Sequence, residues 1–176
     1  MPDASGSDPR RHPARNVYGE PLSECCSNPL TGFYRDGACN TGPEDFGVHT
    51  VCTRVDADFL NFSQAAGNDL STPLPRYGFP GLKPGDCWCL CAARWKEALD
   101  AGKAPRVRLA ATHEATLDIV PLELLKKYAI DLSSADGDAP DRARAVPRLD
   151  LRHRRIAGVR GRRDHPCRLD PRPRRA

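Results

Sequence analysis

The chain has 176 residues, enough for one domain with tails, and residues 1–130 alone can bury an adequate core. Its formal charge of +4 is uneven, because residues 131–176 carry thirteen Arg and seven Asp (net +6), whereas residues 1–130 carry fourteen basic and sixteen acidic residues (net −2). The charge therefore gives no reason to expect nucleic-acid binding by the domain, and no window is apolar enough to predict a transmembrane helix.

Two tails without periodicity are predicted to be disordered. Residues 1–15 are rich in Pro, Asp, Ser and Arg. Residues 131–176 are rich in Arg and Pro, and they are interpreted as a solvated extension, as a basic arm for nucleic acid, or as the product of a shifted reading frame. The N-terminus lacks the apolar stretch of a secretory signal, so a cytoplasmic location is expected. Thiols stay reduced there, and the eight cysteines are interpreted first as buried small side chains, next as ligands or reactive thiols, and last as disulfides.

The segment between the tails predicts one compact α+β domain over residues 16–130. The expected elements, in chain order, are a strand over 48–54, a helix capped by Asp56 and ended by Gly67, a strand over 87–91, a helix over 92–101, a strand over 106–111 and a helix beginning at Pro121. Residues 20–47 and 68–86 are loops punctuated by Pro and Gly. Short strands, about three helices and long ordered loops favour a two-layer arrangement.

Polar side chains in these loops predict a pocket for a small polar ligand of unknown identity. The loops are CNTGPED (39–45) and GNDLSTP (67–73). The candidate ligand-binding residues are Asn40, Asp45, His49, Asn68, Asp69 and Arg94. The alternative is that the Asn, Asp, Ser and Thr side chains only satisfy the backbone of their own loops, and that the arginine forms a structural ion pair.

A reactive cysteine is a second interpretation of the same region. Cys91 immediately precedes the helix predicted from Ala92, so the helix dipole would favour its thiolate. Cys39 is the other candidate nucleophile. The general base would be His113 or His49. The carboxylate that orients this base would be one of three residues, Glu114, Asp45 or Asp69.

A structural zinc site is the remaining alternative. Its ligands would be Cys39, Cys52, Cys89 and Cys91, since zinc takes about four Cys or His ligands in a tetrahedron. The chain has no CxxC pair, which such sites usually contain. It also has no Walker loop, GxGxxG or HExxH motif, so nucleotide-binding and zincin functions have no support.

Several long phrases resemble one bacterial family, the domain of unknown function 2237, over residues from about 16 to 129. The phrases are PLTGF (29–33), CNTGPED (39–45), HTVC (49–52), GNDLSTP (67–73), FPGL (79–82), WCLCA (88–92), Arg94-Trp95 and ATHE (111–114). The resemblance implies a compact α+β domain and carries no established activity. Cys87 departs from the family pattern, where a basic residue is expected, so the resemblance makes it the cysteine least relevant to a shared function.

Overall fold

A computed structural model describes residues 14–132. The predictions of disorder over residues 1–13 and 133–176, and Cys167 with them, lie outside the described residues. Within residues 14–132, one three-stranded sheet and three α-helices confirm the α+β class. None of these helices is both long enough and apolar enough to cross a membrane.

The sheet is antiparallel and has its first strand in the centre. The elements are β1 (Val51–Arg54), α1 (Ala57–Ala65), β2 (Cys87–Leu90), α2 (Ala92–Asp100), β3 (Arg106–Val107) and α3 (Leu122–Lys126). The strand order is β2-β1-β3, and β1 pairs antiparallel with both neighbours. Connecting segments therefore carry much of the chain, as the Pro- and Gly-rich composition of the loops indicates.

The predicted helix signals are confirmed where they rest on local chemistry. The Asp56 side chain accepts a hydrogen bond of 2.8 Å from the Phe59 N–H and so caps α1. Gly67, just past the end of α1, has a φ of 81°, which glycine adopts without steric cost.

All three strands are shorter than predicted, β2 only by its last residue, because Cys91 is the N-cap of α2. β1 begins at Val51 rather than at residue 48, because Val48 has a φ of 50° and leaves the extended conformation. β3 ends at Val107, because Leu109–Ala111 forms a 3₁₀ turn. The N–H groups of Leu109 and Ala110 donate to the Asp131 carboxylate, both at 2.9 Å, instead of joining a ladder.

The sheet has two different faces. One carries Val51, Trp88 and Leu90, which join the main apolar core with side chains from α1, α2 and α3. The opposite face carries Cys52 and Cys89, which are directly paired across β1 and β2 and form a second, sulfur-rich cluster. Side chains thus alternate along β2, as successive residues of a strand do.

Two disulfides tie the loop over residues 20–47 to the sulfur-rich face. Cys25 is bonded to Cys52, and Cys39 is bonded to Cys89. The interpretation that placed disulfides last is therefore wrong for these four residues. It rested on the compartment alone, whereas the fold lays two loop cysteines directly over two strand cysteines.

Candidate active site

The loop between Thr41 and Thr50 is organised around the carboxylate of Asp45, whose side chain is fully buried. One carboxylate oxygen, Oδ2, accepts from the His49 backbone N–H at 2.8 Å and from the Thr41 hydroxyl at 3.1 Å. The other, Oδ1, lies 2.6 Å from His49 Nδ1. Asp45 thus fixes both the backbone and the ring of His49.

The charge of Asp45 sets the role of each ring nitrogen. Burial alone would raise its pKa, but the hydrogen bonds and charge of His49, helped by Thr41, hold the pKa of Asp45 below its ordinary value. An ionised carboxylate only accepts, so His49 Nδ1 carries the proton in that pair. In the neutral ring Nε2 is then the basic nitrogen, and the side chain retains 24% exposure.

Cys91 lies beside this ring, across Gly47. A Cβ placed on Gly47 would be 2.5 Å from His49 Cε1, 3.0 Å from His49 Nδ1 and 3.3 Å from Cys91 Sγ. The imidazole and the thiol therefore occupy the space that a side chain at position 47 would fill. Cys91 itself is buried and directly precedes the nine-residue helix α2. The positive end of the helix dipole favours a thiolate at this position.

Val48 connects the two halves of the site. Its φ of 50° is unfavourable for a β-branched residue. In this conformation the Val48 carbonyl accepts from the N–H of Thr50 at 2.9 Å and from the N–H of Ala92 at 3.0 Å. The loop is thereby joined to the first residue of α2. Strained backbone of this kind is concentrated at functional sites, because the surrounding structure must maintain it.

Aromatic side chains border the site. The Phe33 ring is stacked on His49 with centroids 5.9 Å apart, and Tyr34 donates to the Glu44 carboxylate at 2.8 Å. Phe46, within the same loop, is 76% exposed. Ala93, in the first turn of α2, is exposed as well. Both the loop and the start of α2 therefore reach solvent next to Cys91.

The other two predicted catalytic residues have different surroundings. Cys39 is bonded to Cys89, so its prediction as a free nucleophile is wrong for this state of the protein. His113 Nδ1 accepts from the Ala115 N–H at 3.0 Å and thereby caps a 3₁₀ turn. Burial lowers the pKa of His113. Of the two histidines named as the base, His49 is the one beside Cys91.

The other four predicted ligand-binding residues make hydrogen bonds within the domain. The Asn40 side-chain amide donates to Asp36 at 2.8 Å, and the backbone carbonyl of the buried Asn68 accepts from the Ser63 hydroxyl at 2.7 Å. Asp69 accepts from the backbone of its own loop, and its pKa is lowered to about 2 by hydrogen bonds, the strongest from the Thr72 hydroxyl. Arg94 is buried, and its Nη1 donates to Glu97 at 2.7 Å and to the Ala66 carbonyl at 3.4 Å, whereas its Nε has no hydrogen-bond partner within residues 14–132.

The sulfur cluster differs from the predicted metal site by one ligand. The sulfurs of Cys25, Cys39 and Cys89 lie within 4.8 Å of one another, and Cys52 is bonded to Cys25. The observed cluster thus contains Cys25 as the fourth cysteine, whereas the prediction named Cys91. No sequence signal pointed to Cys25, which lies in a loop without a motif of its own.

The comparison with protein families gives a match over most of the described residues. A family model described as an uncharacterized protein conserved in bacteria (DUF2237) covers residues 15–129. These bounds agree with the phrases by which the sequence resembled that family. No curated protein matches the chain.

Proposed function

The chain belongs to the bacterial DUF2237 family, and we propose that it is a cysteine-dependent enzyme that transfers acyl groups from small polar substrates. One observation carries the proposal. Cys91 Sγ and the His49 ring, which Asp45 orients, both lie close to the position that a Cβ on Gly47 would occupy. A nucleophile, a base and a group that orients the base are the three parts that covalent acyl transfer requires. The same reasoning makes the loop over residues 41–49 the wall of the ligand site.

In the proposed reaction, His49 Nε2 takes the proton of the Cys91 thiol. The thiolate sulfur attacks the carbonyl carbon of the substrate and forms a C–S bond, and the carbonyl π electrons move to the oxygen. When the carbonyl re-forms, the bond to the leaving group breaks, and the leaving group takes the proton from His49. Water activated by the same nitrogen then hydrolyses the thioester and restores the thiol.

The start of α2 supports this chemistry electrostatically. Helix geometry offers no intrahelical acceptor to the N–H groups of the first turn. The Ala92 N–H donates to the Val48 carbonyl at 3.0 Å, and we assign the N–H groups of Ala93 and Arg94, in the same first turn, as the donors to the substrate carbonyl oxygen. They would stabilise the oxyanion that develops on the carbonyl oxygen.

Cysteine-selective alkylation of the oxidised, full-length protein tests the proposal. Iodoacetamide labelling followed by peptide mass spectrometry compares three cysteines that form no disulfide, Cys26, Cys87 and Cys91, in one sample. We expect Cys91 to react at least tenfold faster than Cys87 at neutral pH, because burial raises the pKa of the Cys87 thiol whereas His49 and α2 favour the Cys91 thiolate. His49→Ala should remove most of that difference, whereas His113→Ala should retain it.

Acyl transfer itself is measured with a p-nitrophenyl ester. We expect a burst of p-nitrophenol equal to the protein concentration and an acyl adduct on the Cys91 peptide, both lost in Cys91→Ser. The proposal is wrong if the folded protein gives no adduct at Cys91 and if His49→Ala leaves Cys91 alkylation unchanged.

A further inference from the structure

The sulfur-rich face of the sheet does not take part in the proposed reaction, yet it gathers the largest group of metal-ligating atoms in residues 14–132. Cys25, Cys39, Cys52 and Cys89 are each at most 3% exposed. We infer that these four cysteines, once reduced, form a tetrahedral zinc site, so that the domain has a disulfide form and a metal form.

The geometry fits a tetrathiolate site. Four thiolates at about 2.3 Å from zinc lie about 3.8 Å from one another. The sulfurs of Cys25, Cys39 and Cys89 are already within 4.8 Å of each other, and the fourth, from Cys52, is bonded to Cys25. Side-chain rotation after reduction is therefore sufficient, without movement of the strands.

The backbone holds these positions independently of the S–S bonds. The Cys89 N–H donates to the Thr31 hydroxyl at 2.8 Å, and the Cys25 N–H donates to the Gly37 carbonyl at 2.8 Å. Arg108 donates to the Cys25 carbonyl at 3.1 Å, which places a guanidinium next to the cluster. A zinc ion with four thiolates carries a net charge of −2, which this cation would partly offset.

The loop over residues 20–47 needs such an anchor in a reducing compartment. Its fully buried apolar side chains are Cys25 and Cys39 alone. Two equivalents of a cellular dithiol would convert the two disulfides to four thiols and would themselves become disulfides. Zinc would then displace the four thiol protons and hold the loop on the sheet in place of the S–S bonds.

The test uses the full-length protein, reduced with a phosphine under nitrogen and titrated with Zn²⁺ or Co²⁺. We expect one metal ion per reduced chain after gel filtration and none per oxidised chain. The Co²⁺ form should show thiolate-to-cobalt charge-transfer absorption and tetrahedral d–d bands. Cys25→Ser should weaken Zn²⁺ binding at least tenfold, whereas its neighbour Cys26→Ser, the matched control, should retain it.

Reduction could unfold the metal-free domain, and this outcome is also decisive. Refolding on addition of one equivalent of Zn²⁺, followed by circular dichroism, would support the site. Reduced protein that binds no Zn²⁺, or that loses Zn²⁺ equally in Cys25→Ser and Cys26→Ser, would overturn it. Cys91→Ser should bind Zn²⁺ normally, so the result does not depend on the proposed enzyme activity.

Discussion

Gly47 lies between the two reacting groups of the proposed site. Its backbone does not require a left-handed conformation, so its importance is steric. A methyl group here would meet the His49 ring 2.5 Å away and the Cys91 sulfur 3.3 Å away. The ring cannot yield freely, because Asp45 holds it at Nδ1 and Phe33 is stacked on it. The residue type at position 47 therefore controls the approach of base and nucleophile.

Gly47→Ala should reduce the alkylation rate of Cys91 and the p-nitrophenol burst by at least tenfold, because the methyl group displaces the imidazole. The melting temperature should fall by only a few degrees, as in other cases of local overpacking. Gly42→Ala is the matched control. Its methyl group would meet the Tyr34 hydroxyl and the Glu44 carboxylate rather than His49. Equal losses in both variants would show that the reactivity of Cys91 depends on the conformation of the whole loop and not on the position of the His49 ring.

Asp69 gives a prediction for acid stability. Its pKa is about 2, below the ordinary 3.8, because it accepts from the Thr72 hydroxyl and from the N–H groups of Thr72 and Ser71. A carboxyl group with a lowered pKa stabilises the fold fully above its unfolded value, and this stabilisation is lost as the pH falls from about 4 to about 2. Asp69→Asn should cost roughly 1 kcal/mol at pH 7 and should flatten the loss between pH 4 and pH 2.

Urea unfolding of both proteins at pH 7, 4 and 2.5 measures this difference. Thr72→Val removes the hydroxyl that contributes most to the low pKa of Asp69. It should also flatten the loss of stability between pH 4 and pH 2, but by less than Asp69→Asn does. Parallel stability curves for Asp69→Asn and the unsubstituted protein would contradict the prediction.

At the scale of elements, local sequence rules predicted the ends and faces of helices and strands wherever the residue that determines them lies in the element or next to it. Asp56 and Gly67 bound α1 as predicted, and the alternation along 87–90 separates sulfurs from Trp88 and Leu90. The end of β3 was mispredicted because a residue far away in the sequence determines it. Asp131, which follows Leu109 by more than twenty residues, takes the N–H groups that would have extended β3. A local pattern contains no information about such a partner.

The loop over residues 68–86 is shaped by close backbone contacts that can be tested at two glycines. Gly81 and Gly85 both have positive φ, 77° and 100°, so alanine is strained at either position by about 1–2 kcal/mol. A Cβ on Gly81 would also overlap the Ser71 carbonyl oxygen, whereas a Cβ on Gly85 would have nothing within 4 Å. We expect Gly81→Ala to lower the free energy of unfolding by about 3 kcal/mol or more, and Gly85→Ala by about 1 kcal/mol.

Chemical denaturation of the two variants under identical, oxidising conditions gives both values. Because the positive φ is common to both, the difference between them reports the close backbone contacts of position 81 with Ser71 and Pro73. Equal destabilisation would show that the loop relaxes around the added methyl group.

At the scale of the whole molecule, the sequence identified the chemical groups but not their pairing. Cys91, His49 and Asp45 were each named, His49 and Asp45 among alternatives, and Asp45 and His49 are only four residues apart. Their meeting with Cys91 depends on how the loop returns to α2 through Val48, which no spacing rule predicts. The disulfides were missed for a similar reason, since Cys25 and Cys52 are 27 residues apart and Cys39 and Cys89 are 50 apart.

Reduction of the metal-free protein should therefore loosen the loop over residues 20–47 before the sheet. Closing chain segments of 27 and 50 residues stabilises a fold by about 3–4 kcal/mol for each disulfide in the chain-entropy model. With a phosphine and a chelator present, the free energy of unfolding should fall by several kcal/mol. Limited trypsin digestion should then cut first after Arg35, which lies in this loop.

Cleavage after Arg76 is the internal control, because Arg76 is exposed in a loop that carries no disulfide. Its rate should change much less on reduction than the rate after Arg35. A larger increase at Arg76 would show that the rest of the domain opens before the loop over residues 20–47. Addition of Zn²⁺ in place of the chelator should restore protection at Arg35 if zinc replaces the disulfides. Protection that returns only on reoxidation would mean that the S–S bonds alone anchor the loop, and the carboxylate that orients His49 would then depend on them.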